Sequence, residues 1–213
     1  MIPLPESGLY AITDCQNLDT HSLLEKTEII LMSGAALLQY RNKSADNNLK
    51  YDQSKQLQIL CKKYHVPFII NDDVELALTL RTDGVHLGRD DTDYITAKTI
   101  LGPGYIIGVS CYNDLNRAIQ LEESDISYVA FGAFFPTTTK KNTATAKPDL
   151  IKEARQKLSL PLVAIGGITP ENGKVLVKAG TDFIASASGI YGAIDLKTMT
   201  EKYIDLFNTK KKQ

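Results

Sequence analysis

Eight short apolar runs recur along the chain, each long enough for a strand and too short for a helix, with helix-like segments between them. They are LYAIT (9–13), ALLQY (36–40), PFIIN (67–71), GVHLG (84–88), YIIGVS (105–110), YVAFGAF (128–134), LVAIGGI (162–168) and DFIASA (182–187). The runs are rich in β-branched residues, almost free of charge, and continuous rather than alternating. Parallel strands buried on both faces have this pattern. The segments between them carry helix signals. HSLLEKTEIILMSG ends in Gly34, suited to a C′ position, and NNLKYDQSKQLQILCKKYHVP stops at Pro67. TPENGKVLVKAG offers Thr169 as N-cap, Pro170 at N1 and Gly180 as a stop. Eight strand–helix units predict a single-domain (β/α)8 TIM barrel over residues 1–213, with a short basic tail from about residue 208. A doubly wound open sheet is the alternative, but no GxGxxG follows the first run.

Composition narrows the function classes. The 24 basic and 25 acidic side chains leave a formal net charge of −1, so a general nucleic-acid footprint is absent and any basic site must be local. No run is long enough to cross a membrane, and MIPLPESGLY lacks the basic-then-apolar order of a secretory signal. Cys15, Cys61 and Cys111 are far apart and form no CxxC or Cys/His cluster. Reduced thiols in a cytoplasmic protein are therefore expected, rather than disulfides or zinc. The expected partners are small molecules, with no nucleic acid and no membrane; an oligomer is left open.

In a barrel of this kind the active site lies at the C-terminal ends of the strands. The second run ends in QYRNK, where Gln39, Arg41 and Lys43 sit two apart and share one side of an extended chain. The third ends in Asn71-Asp72-Asp73 and the fourth runs into Arg89-Asp90-Asp91. Each acidic cluster alone reads as a helix cap. Two at neighbouring strand ends, beside Arg41 and Lys43, favour Mg2+ held by carboxylates together with a diphosphate. Ser110 ends the fifth run and suits either a phosphate contact or a cap. The long loop PTTTKKNTATAKPD (136–149) supplies hydroxyls and lysines. Gly166-Gly167 and Ala187-Ser188-Gly189 end the last two runs, where such barrels bind a monophosphate. A diphosphate site and a monophosphate site in one barrel predict a transferase that joins two phosphorylated molecules and releases pyrophosphate.

The ordered set QYRNK, INDD, GVHLGRDD, GVSCYN, PTTTK, AIGGITPEN and SASGI resembles the thiamine-phosphate synthase family, from LYAITD to about residue 192. The resemblance implies a TIM-barrel transferase that couples hydroxymethylpyrimidine diphosphate to thiazole phosphate with Mg2+, giving thiamine monophosphate and pyrophosphate. It implies Gln39, Tyr40, Arg41, Asn42 and Lys43 at the pyrimidine diphosphate, with Asn71, Ser110 and Lys140. Arg41, Lys43 and Lys140 would be the catalytic cations. Asp72 and Asp91 match the metal ligands. Thr137, Thr138, Thr139, Gly167, Ala187 and Ser188 match the thiazole phosphate site. Two departures stand out: Arg89 replaces the family's usual Gln, and IASASGI is more polar than usual. The implied chemistry is dissociative and needs no general base. His86 is then expected to be a hydrogen-bonded barrel residue. The alternatives are a thiazole tautomerase-like paralogue and a non-catalytic thiamine-phosphate sensor.

Overall fold

The computed structural model describes residues 1–16, 18–89, 91–136 and 146–208. The strands are β1 (Gly8–Ile12), β2 (Leu37–Tyr40), β3 (Phe68–Asn71), β4 (Gly84–Leu87), β5 (Ile106–Tyr112), β6 (Tyr128–Phe131), β7 (Leu162–Ile165) and β8 (Phe183–Ser186). Helices α1 (Thr20–Met32), α2 (Asn47–Tyr64), α3 (Val74–Leu80), α4 (Tyr94–Leu101), α5 (Leu115–Gln120), α6 (Pro148–Lys157) and α7 (Pro170–Ala179) connect successive strands. After β8 come the short α8 (Ser188–Tyr191) and the closing α9 (Leu196–Asn208). Every strand pairs in parallel with its sequence neighbours. β1 also pairs with β8, through Gly8↔Phe183 to Ala11↔Ser186, so the sheet closes and leaves no edge. All eight apolar runs are strands, each displaced by at most a few residues at its ends.

Strand alternation divides the apolar residues into two layers. Leu9, Ala11, Leu38, Tyr40, Phe68 and Ile70 face the helices and join the larger core. Tyr10, Ile12, Leu37, Ile69, Ile106, Tyr128, Val163 and Phe183 fill the barrel interior. Both layers are buried, which is why the runs read as continuous rather than alternating. One inner position must be glycine: a Cβ on Gly108 would occupy the ring of its register partner Tyr128.

The helix boundaries follow local signals. Gly34, just past α1, has φ +101°, and Gly180 closes α7 at φ +114°. Thr169 and Asn172 form a reciprocal capping box at the start of α7, with Pro170 in the first turn. In the acidic cluster after β3 the cap is Asp73, whose side chain accepts from the Leu76 N–H. α4 is capped by Asp93 and α5 by Asp114. Asp72, Asp91 and Ser110 are thus not needed as caps.

Candidate active site

The C-terminal strand ends surround a cavity of about 720 Å3, within the range that holds small-molecule ligands. On one side, Gln39 of β2 and then Arg41 and Lys43 just past its end line the cavity. The buried Thr13, just past β1, clamps this stretch: its Oγ1 accepts from the Arg41 N–H at 2.8 Å, and its N–H donates to the Gln39 carbonyl at 2.9 Å.

Alternation also corrects two expectations. Tyr40 and Asn42 face the opposite way, and their side chains do not line the cavity. The Tyr40 hydroxyl donates to Gln53 Oε1 of α2 at 2.8 Å, and Asn42 Nδ2 donates to the same oxygen at 3.1 Å. They brace the strand against its helix.

Asn71, Asp72 and Asp91 line the wall next to β2. Asp72 has φ +64°, a left-handed backbone that breaks the extended path after β3. Its carboxylate meets Lys43 Nζ at 3.0 Å. Asp91 Oδ2 accepts from the Gly88 N–H at 2.8 Å and lies beside Asp72. Burial, and then the neighbouring Asp72 carboxyl, raise the pKa of Asp91 above the ordinary carboxylate value. Two adjoining carboxylates suit one small hard cation, and no cluster of three or more His, Cys, Asp or Glu forms among the described residues. That donor set fits Mg2+, which needs only one or two carboxylates when phosphate oxygens and water complete its shell. It does not fit a caged zinc site.

Arg89 also lines this wall, with its guanidinium carbon 5.0 Å from the centre of the Tyr112 ring. The contact holds a cation at the rim of the cavity. Its sequence neighbour Asp90 lies outside the described residues.

Across the barrel, the turns after β7 and β8 supply Gly166, Gly167, Ala187, Ser188 and Gly189. Gly166 (φ +102°) and Gly167 (φ +60°) are both left-handed, and a Cβ on either would strike the chain between Ala133 and Pro136. The pair therefore serves packing between two loops. α8 begins at Ser188 on the same rim.

Beneath the cavity, Tyr10, Tyr128 and His86, which sequence reasoning did not place in the site, link Gln39 to Ser110. Gln39 Nε2 donates to the Tyr10 hydroxyl at 2.7 Å, and Tyr10 lies 2.7 Å from the Tyr128 hydroxyl. His86 bridges Tyr128 (Nδ1, 3.1 Å) and Ser110 (Nε2, 2.9 Å). Inner-face parity along each strand could have grouped these residues, but nothing in the residue types alone reveals the contacts.

A family model described as thiamine monophosphate synthase matches residues 9–190. The chain belongs to the thiamine monophosphate synthase family. The thiamine-phosphate synthase of Methylobacillus flagellatus is 45% identical over 204 residues, covering 96% of this chain and 97% of the relative. That of Nitrosococcus oceani is 44% identical over 196 residues, covering 92% and 90%. Among solved structures, thiamine phosphate pyrophosphorylase from Pyrococcus furiosus superposes with a TM-score of 0.86 at 32% identity, covering 96% of both chains.

For a thiamine monophosphate synthase, Gln39, Arg41, Lys43, Asn71, Asp72, Asp91, Ser110, Gly167, Ala187 and Ser188 are the expected site residues that line this cavity. Thr137, Thr138, Thr139 and Lys140 lie outside the described residues. Cys111 packs into the outer core, and burial pushes its thiol up to about 12, consistent with a residue that plays no nucleophilic part. No helix among the described residues is long and apolar enough to cross a membrane.

Proposed function

We propose that this chain acts as a thiamine-phosphate synthase, transferring a pyrimidinylmethyl group from its diphosphate to the ring nitrogen of thiazole phosphate. The observation that carries the reading is the meeting of Arg41, Lys43, Asp72 and Asp91 on one wall of a cavity whose far wall is built from the β7 and β8 turns. The first wall suits a diphosphate and the second a monophosphate. With β2–β4 and β7–β8 on opposite sides of the barrel, the two substrates would meet over its axis.

In this reading the C–O bond to the diphosphate breaks first, and the thiazole nitrogen lone pair captures the resulting cation. Negative charge accumulates on the departing diphosphate. Arg41 and Lys43 offer fixed positive charge there, with Lys140 assigned to the same task from its motif. Asp72 and Asp91 would hold Mg2+, which when bound supplies a Lewis acid for the diphosphate oxygens. Gln39 has Oε1 and one N–H beyond the bond to Tyr10, a donor beside an acceptor that matches an aminopyrimidine edge. The attacking nitrogen has no proton to lose, so no general base is required. Thr137, Thr138 and Thr139, with Gly167, Ala187 and Ser188, would receive the thiazole phosphate.

A tautomerase-like or purely sensory barrel would gain little from the cationic and acidic wall. Product analysis decides among the three. Incubation with both substrates and Mg2+ is expected to yield thiamine monophosphate. Isomerisation of a thiazole substrate without coupling would support the tautomerase, and binding of thiamine monophosphate without any turnover would support the sensor.

A further inference from the structure

The four hydrogen bonds under the cavity have a direction. Tyr10 and Tyr128 are almost wholly buried, and burial drives both phenols far above their ordinary pKa, so each keeps its single proton. Tyr10 accepts from Gln39 Nε2, and its own proton has the Tyr128 oxygen as the acceptor 2.7 Å away. With the Gln39 amide presenting Nε2, the reverse arrangement would strand the Tyr10 proton, since no other acceptor for it occurs among the described residues. A stranded buried donor is costly enough to decide the direction. Tyr128 then donates its proton to His86 Nδ1, so the imidazole proton sits on Nε2 and is given to Ser110 Oγ.

We propose that Gln39, Tyr10, Tyr128 and His86 form a one-way relay that holds His86 as the neutral Nε2–H tautomer and turns the Ser110 hydroxyl proton into the cavity as a donor. His86, Tyr10 and Tyr128 are then positioning residues acting through Ser110. The identity of the ligand that Ser110 meets, the pyrimidine diphosphate, rests on the function proposed above; the relay itself does not. The relay also couples the two polar ends of that substrate site, because Gln39 and Ser110 lie at opposite ends of one chain of bonds. A change in the Gln39 amide orientation would reverse every bond and withdraw the Ser110 proton from the cavity.

Two measurements test this. Nitrogen-15 NMR of the ligand-free wild-type protein should show His86 as the Nε2–H tautomer, its signal assigned by its loss in His86→Gln. An Nδ1–H signal or a protonated ring at neutral pH would overturn the relay. In a double-mutant cycle, Tyr128→Phe should lower kcat for pyrophosphate release about tenfold, the loss of one oriented hydrogen bond. The KM for thiazole phosphate should stay unchanged. In a Ser110→Ala background the same change should cost nothing further. Losses that multiply would mean that Tyr128 acts through packing, and would overturn the positioning role. A wild-type protein that releases no pyrophosphate would defeat the function reading alone, while the tautomer measurement would still decide the relay.

Discussion

Asp72 and Asp73 are adjacent and chemically identical, yet the backbone sends them to different tasks. Asp73 turns back to cap α3, while the left-handed φ of Asp72 swings its carboxylate to Lys43 and Asp91. Asp72→Ala or Lys43→Ala should reduce turnover by roughly 100-fold or more, the scale of a lost charge-stabilising contact, without unfolding the barrel. Steady-state pyrophosphate release together with circular dichroism checks both halves of that expectation. Asp91 makes a prediction of opposite sign for stability. Its pKa is raised in the folded state, so the proton binds more tightly there than in the unfolded chain. The ionised carboxylate therefore costs stability at neutral pH, and that cost disappears as pH falls through the folded-state pKa. Asp91→Asn should raise the Tm of the metal-free protein at neutral pH, with the gain fading in acid, while coupling is lost. Thermal melts across the acidic range would reveal a Tm change of the wrong sign.

At the scale of elements, the caps and the charged wall of the cavity can be separated by experiment. Asp73→Ala removes a cap from α3 and should cost about 1 kcal/mol. For a chain of this size that corresponds to a Tm lower by roughly 2–4 °C. Turnover should change far less than in Asp72→Ala, and comparing the two variants by calorimetry and activity settles which aspartate does which job. The strands were legible because both faces are buried, and an unbroken apolar run is strong enough to read without context. The α7 boundaries were legible because Thr169, Pro170 and Gly180 act locally. Period-two spacing also singled out Gln39, Arg41 and Lys43. The same spacing, applied strictly, would have set aside Tyr40 and Asn42, whose side chains brace α2 through Gln53. The link from Tyr10 to His86 was not legible. Its members come from strands separated by up to 118 positions, and a tyrosine inside a barrel looks like any other core aromatic until its hydroxyl partner is known.

At the scale of the whole molecule, closure is what makes one cavity from eight strand ends. Pairing of β1 with β8 brings the last two turns, Gly166-Gly167 and Ala187-Ser188, to face the acidic and basic side chains of the early strands. Neither wall alone specifies a reaction; together they suit one diphosphate and one monophosphate. The most direct measurement is pyrophosphate release from hydroxymethylpyrimidine diphosphate, with and without thiazole phosphate, and with Mg2+ present or chelated. Release that requires both thiazole phosphate and Mg2+, with thiamine monophosphate as the product, is the predicted result. A folded protein that binds either substrate yet releases no pyrophosphate with both present at saturating Mg2+ would contradict it.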